Sequence, residues 1–200
     1  MTSGTGQRIA EVAREILERD GAQAVSMRRV ADAVGITPMA IYRHYPNREA
    51  MLDAVADAVS GELAEQWGRR DDEPDLERRI LGLLNDFLDF ALGRPHLYAL
   101  VMIERRAGTR TFPADYAAGR SPSFAPMLRA VEDGMAKGFL REGDPAELAM
   151  TFAATGLGLA QLYLGGRIDL SEKDFRQLCR RSVFTVLDGA RAHGPDSTTR

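Results

Sequence analysis

Apolar residues recur at helical spacing along nearly the whole chain. Ile9, Val12, Ala13, Ile16 and Leu17 mark one face of a first helix, which Asp20-Gly21 ends, after residues 1–6 that should fray. Met27, Val30, Ala31 and Val34 repeat the pattern behind Ser26, an N-cap residue, and ahead of Gly35, which suits a left-handed helix end. Thr37 and Pro38 open a short helix to about His44, with Ile41 and Tyr45 facing inward. Pro46 stops it, and Asn47 caps the next helix with Glu49 in its first turn. That helix predicts from Arg48 to about Arg70, with Met51, Leu52, Val55, Val59 and Leu63 buried. At ~1.5 Å per residue it is roughly 30 Å long, enough for a rigid strut.

The charged run RRDDEPD reads as a turn, followed by a helix from about Pro74 to Leu92 carrying Ile80, Leu83, Leu84, Phe87, Leu88 and Ala91. Pro95 opens another, PHLYALVMIERR. Residues 107–121 have no clean period and read as a long loop, a class that is usually functional or disordered. A helix follows from about Pro122 to Leu140. Asp144-Pro145-Ala146-Glu147 then starts one that is apolar nearly all round to Leu164, where Gly165-Gly166 ends it. Ser171 caps the last, with Phe175, Leu178, Cys179, Ser182, Val183 and Val186 in its stripe, and the tail from His193 is polar and expected to be disordered. No stretch reads as a strand. The expectation is an all-α chain of about nine helices: a three-helix N-terminal domain over residues 1–46 and a helical body over 47–200.

Residues 26–48 are two short helices around a tight glycine turn, the arrangement of a helix-turn-helix whose second helix enters the major groove. Its outward positions carry Thr37, Pro38, Met39, Tyr42, Arg43 and His44, groups suited to phosphate, thymine-methyl and base-edge contacts. Residues 25–48 hold Arg28, Arg29, Arg43 and Arg48 against Asp32, a local +3 on a chain of net charge −3. A basic island on an acidic protein is the footprint DNA binding requires.

The segment GITPMAIYRHYPNREAM resembles the DNA-binding signature of the TetR/AcrR family of one-component regulators, matching at Gly35, Thr37, Ile41, Tyr42, His44, Arg48 and Glu49. Tyr45 stands where the family has Phe, so its extra hydroxyl needs a partner or an outlet to water. The resemblance covers about residues 7–60. It implies a homodimer on a palindromic operator, joined by a four-helix bundle from the last two helices of each subunit. Gly156, Ala160, Tyr163, Phe175, Cys179, Val183 and Val186 are the interface candidates, against the alternative that they are simply the core of a monomer. The resemblance also implies an effector cavity in the body, with Trp67, Phe87, Phe90, Tyr98, Met102, Glu104, Phe152 and Tyr163 as candidates. Ordinary core packing is the competing reading for each of them. The 107–121 loop could gate that cavity.

Within the motif, Ser26 and Arg28 start one helix and Arg48 starts another, positions that suit backbone clamping; solvated surface charge is the alternative for both arginines. Tyr42 serves phosphate contact or packing, and Thr37 serves as cap, phosphate contact or both. Pro38, Met39 and Arg43 are the specificity candidates, with repression the family's usual mode. His44 reads as a backbone contact rather than a metal ligand, and no metal or cofactor is expected. An enzyme is disfavoured: there is no glycine-rich phosphate loop or paired-histidine motif, and His44, His96 and His193 are scattered. A helical interaction module that kept the scaffold but lost DNA binding is the other reading. One cysteine and the lack of an apolar leader or spanning run point to a cytoplasmic protein, on the nucleoid when bound to DNA, with no membrane partner.

Overall fold

A computed structural model describes residues 4–106 and 108–192. Among them the fold is all-α. The helices are α1 (Gly4–Asp20), α2 (Met27–Val34), α3 (Pro38–Ile41), α4 (Arg48–Gly68), α5 (Leu76–Gly93), α6 (Pro95–Tyr98), α7 (Ala114–Ala117), α8 (Ala125–Ala136), α9 (Pro145–Leu164) and α10 (Glu172–Ala190). Only an isolated bridge, Leu140 to Arg191, has strand character there. The tail from residue 193 lies outside the described residues. So do residues 1–3; the fraying expected through residue 6 does not extend to 4–6, which are the first turn of α1.

Packing divides the chain into two units. The first is Met1–Glu62 with Gly93–Thr109, the second Leu63–Leu92 with Arg110–Arg200. The division falls inside α4 and not before it, and it returns the α6 segment to the N-terminal unit.

In the first unit, the stripes of α1, α2 and α4 make one core: Ile9, Leu17, Val30, Ala31, Ile41, Met51 and Ala56 are fully buried. Arg14 on α1 reaches Glu62 at 2.6 Å, and Arg106 reaches Asp53 on α4 at 2.6 Å and the Leu100 carbonyl at 3.0 Å. The expected helix over 95–106 is shorter. It widens into a π turn at Ala99–Ile103 and stops there, with the Glu104 N–H closing on the Ala99 carbonyl at 2.8 Å.

In the second unit, α8, α9 and α10 pack on α5. The helix expected over 122–140 is only Ala125–Ala136. Gly138 takes φ +70, and the N–H groups of Phe139 and Leu140 both close on the Gly134 carbonyl. Leu140 is buried all the same, because the chain folds back beside the end of α10. Apolar spacing continued past the helix end without helix. Arg79 on α5 is the buried charge no stripe predicted: it is 3% exposed and reaches Asp71 and Asp133, each at 2.5 Å. Asp71 also takes Arg129 of α8 at 2.8 Å.

The period-free stretch before α8 is organised by one carboxylate. Asp115 Oδ2 accepts from the Thr111 N–H at 2.7 Å and from its hydroxyl at 3.1 Å, while Oδ1 accepts from Arg120 Nε at 2.8 Å. These donors, the Thr111 N–H first and then Arg120, pull Asp115 from 3.8 to about 2. A depressed carboxylate stabilises its surroundings above its unfolded pKa and loses that contribution as pH falls through the folded one. The loop should therefore be held fully above about pH 4 and released toward pH 2. At neutral pH, Asp115→Ala should speed tryptic cleavage after Arg110 and Arg120 on the order of tenfold. An unchanged digestion rate would mean that other contacts hold the loop.

Candidate nucleic-acid interface

The first unit presents residues 37–44 on its surface. α3 is a single turn, because its last residues tighten: the N–H groups of Arg43 and His44 bond three residues back, to Ala40 and Ile41. The expected helix to His44 is thus half helix and half turn. Its inward side is fixed by Ile41, fully buried, and Tyr45, 9% exposed. Its outward side carries Thr37, Pro38, Met39, Tyr42, Arg43 and His44, all exposed, with Met39 at 72% and Tyr42 at 50%.

The caps are as read from sequence. Ser26 Oγ accepts from the Arg29 N–H at 3.2 Å, Thr37 Oγ1 accepts from the Ala40 N–H at 3.2 Å, and Asn47 Oδ1 accepts from the Ala50 N–H at 2.7 Å. Gly35 closes α2 at φ 80, ψ 31, with its N–H on the Ala31 and Asp32 carbonyls. The Tyr45 hydroxyl donates to the Gly6 carbonyl at 3.1 Å, which answers the question its place in the motif raised. Burial pushes that phenol's pKa up. His44 lies over the same turn of α1; a Cβ on Gly6 would sit 3.4 Å from its Nδ1.

The four arginines of the basic island divide into two kinds. Arg28 is 87% exposed at its side chain and lies 3.9 Å from Asp32. Arg43 is also exposed. Arg29 pairs with Asp20 and reaches the Ala24 carbonyl at 3.4 Å. Arg48 donates to the carbonyls of Val25 at 2.7 Å and Ala22 at 2.5 Å, with its side chain only 32% exposed. Position along the chain could not reveal this, because the acceptors are backbone atoms 23 and 26 residues away.

The effector candidates fall in both units. In the second, Trp67 meets Phe87 and Phe90 edge-on, each at 6.4 Å between ring centres, and its buried indole N–H has no hydrogen-bond partner. Phe152 is buried, and Tyr163 stacks on Phe175 at 4.0 Å. In the first, Tyr98 is buried and its phenol is pushed up to about 12 by desolvation, Met102 is half-buried and Glu104 is exposed. The π turn ends before Glu104 and leaves that residue exposed. A groove of about 460 Å³ between Pro74–Glu77, Phe139, Leu140, Leu187 and Arg191 includes none of the candidates.

The interface candidates need correction. Gly156, Ala160, Phe175, Cys179 and Val183 are buried within the chain itself, while Tyr163 and Val186 are half-buried. Their stripe packs α9 against its own neighbours; Gly156, for example, faces Phe87. Burial raises Cys179 to about 11, so its thiol is protonated and inert at neutral pH. The outward apolar residues of this region are instead Leu162, Leu164, Leu170 and Phe184, each about 40% exposed. Among the described residues, no group of His, Cys, Asp and Glu could hold a metal ion, and no helix is long and apolar enough to cross a membrane.

Comparison with known proteins gives matches over both parts of the chain. Residues 9–55 match bacterial regulatory proteins of the tetR family, and residues 80–186 match the tetracyclin repressor-like C-terminal domain. An HTH-type transcriptional regulator of Saccharopolyspora erythraea is 37% identical over 59 residues, 30% of this chain and 25% of that protein. The chain spans between a quarter and about half the length of the first curated relatives it matches. A protein of unknown function from Rhodococcus sp. RHA1 superposes with a TM-score of 0.77 at 25% identity, covering 96% of this chain and 97% of that one. A TetR family transcription regulator from Marinobacter aquaeolei VT8 has the same fold, with a TM-score of 0.68 at 19% identity over 94% and 96% of the two chains.

Gly35 offers a direct test of how the turn is held. A Cβ there would meet nothing within 4 Å, so any cost of a side chain comes from the left-handed backbone alone. Gly35→Ala should lower unfolding free energy by about 1–2 kcal/mol, and Gly35→Asn by less, in denaturant titrations. Equal stability of all three would mean that the turn relaxes to another conformation.

Proposed function

We propose that this chain, which belongs to the TetR family of bacterial regulatory proteins, binds a palindromic operator as a homodimer and leaves it when a small molecule enters the helical body. The observation that carries the DNA reading is the exposed surface Thr37–His44, anchored from behind by Ile41 and Tyr45 and flanked by the exposed cation Arg28. Pro38 and Met39 offer apolar contact to thymine methyls, and the exposed Arg43 offers a cation to the phosphate chain beside them. Tyr42 and Thr37 have hydroxyls within reach of the phosphate chain, although Thr37 also caps α3.

One such surface meets one half-site, so two copies are needed for an inverted repeat about one helical turn apart. The outward apolar residues of α9 and α10, with the exposed small residues Ala154 and Gly158, support pairing of the two copies. α4 is a single helix of 21 residues that begins at the interface and ends at Trp67-Gly68. A ligand that prefers one direction of α4 changes the separation of the two α3 turns, and a coupling of about 1–3 kcal/mol suffices for regulation. The Trp67–Phe87–Phe90 cluster with its unpaired indole N–H suits an apolar effector carrying one hydrogen-bond acceptor. On this reading the chain acts by binding DNA and effector.

Fluorescence anisotropy with duplexes from the DNA upstream of the chain's own gene tests this reading. An inverted repeat should bind two chains and be preferred over scrambled duplex, with log K falling linearly in log salt. Arg43→Ala should flatten that slope by about 0.9 per protomer. A helical protein-interaction module would show neither the preference nor the slope.

A further inference from the structure

The two ends of the helix-turn-helix stretch are tied together by one side chain. Arg48 is the first residue of α4, a place where the helix dipole disfavours a cation. Its guanidinium does not turn outward. Nε donates to the Val25 carbonyl and Nη2 to the Ala22 carbonyl, in the turn that leads into α2. Val25 and Arg48 bracket residues 26–47, so these two bonds close α2, the Gly35 turn and α3 into a loop pinned at its mouth. The planar fork of arginine reaches two carbonyls at once, which a lysine ammonium on its flexible stem does not match. The Tyr45 hydroxyl on Gly6 adds a second pin from the same end of the stretch to α1. Of the three guanidinium nitrogens only Nη1 is left, and it lies 4.0 Å from the Glu49 carboxylate.

We propose that Arg48 is a positioning residue that fixes how α3 is presented, and that the phosphate charge is met by Arg28 and Arg43 instead. This rests on the DNA-binding reading above. It replaces the backbone clamp that the place of Arg48 in the motif suggests, and it makes different predictions for the salt dependence. Each phosphate-neutralising cation contributes about 0.9 to the log–log slope, whereas a positioning residue contributes to affinity and not to slope.

The test measures operator binding at four or more salt concentrations for the wild-type chain, Arg48→Ala, Arg48→Lys and Arg43→Ala. Thermal unfolding and amide exchange of residues 22–25 are measured on each chain without DNA. Arg48→Ala should weaken binding about tenfold or more at every salt concentration, with parallel lines, and should lower the melting temperature and expose the 22–25 amides. Arg48→Lys should fail to restore affinity although it keeps the charge. Arg43→Ala should flatten the slope by about 0.9 per protomer. A slope reduced in Arg48→Ala as much as in Arg43→Ala, or wild-type affinity in Arg48→Lys, would overturn the proposal. If Arg48→Ala does not fold, Arg48→Lys decides by the same affinity criterion. If the wild-type chain prefers no duplex, the DNA reading fails; the pin is then judged by melting and exchange alone, and unchanged values in both variants would overturn it.

Discussion

A helix of one turn has no stability of its own. Nucleation fixes several residues for a single hydrogen bond, and isolated helices shorter than about 12 residues are marginal in water. α3 has four residues. Its shape is therefore imposed from outside, by Ile41 and Tyr45 in the core, by the caps at Thr37 and Asn47, and by the arginine and tyrosine that hold its flanks to backbone carbonyls. The side chains of Met39, Tyr42 and Arg43 are exposed and stand outside the core contacts that fix α3, which leaves its solvent side room to vary in chemistry.

That separation explains what could be read in advance. Helix starts were legible because a cap is a local event: Ser26, Thr37, Asp144 and Ser171 each accept from an N–H two or three residues on. Buried faces were legible because burial repeats with the helix, as Ile9, Val12, Ile16 in α1 and Met51, Val55, Val59 in α4 illustrate. Partners were not. Periodicity says that a face is covered, not by what, and so the stripe of Phe175, Cys179 and Val183 read as a surface for a second copy when its cover is the chain's own α9 and its neighbours. Leu140 extended a helical pattern that had ended four residues earlier at Ala136, since a return of the chain buries it just as well.

Long-range polar contacts were the least visible class. Arg48 and Arg29 look like Arg28 and Arg43 in composition, yet two of the four are committed to backbone carbonyls or the Asp20 carboxylate and two stay exposed, Arg28 with only the long i,i+4 contact to Asp32. The net positive charge of the island therefore overstates the charge available to a polyanion. The hydrogen bonds of Asp115 to Thr111 and Arg120 are of the same kind, and no apolar period could have announced them.

Arg79 carries a consequence for how this chain can change over generations. It lies buried between Asp71 and Asp133, with its Nε unpartnered. Loss of both aspartates first would leave the buried cation without a carboxylate partner, whereas replacement of the arginine by a leucine leaves both carboxylates partly facing water and Asp71 still paired with Arg129. The three positions thus admit substitution in one order and resist it in the other. Lineages that lack the aspartates should be those that gave up the arginine beforehand.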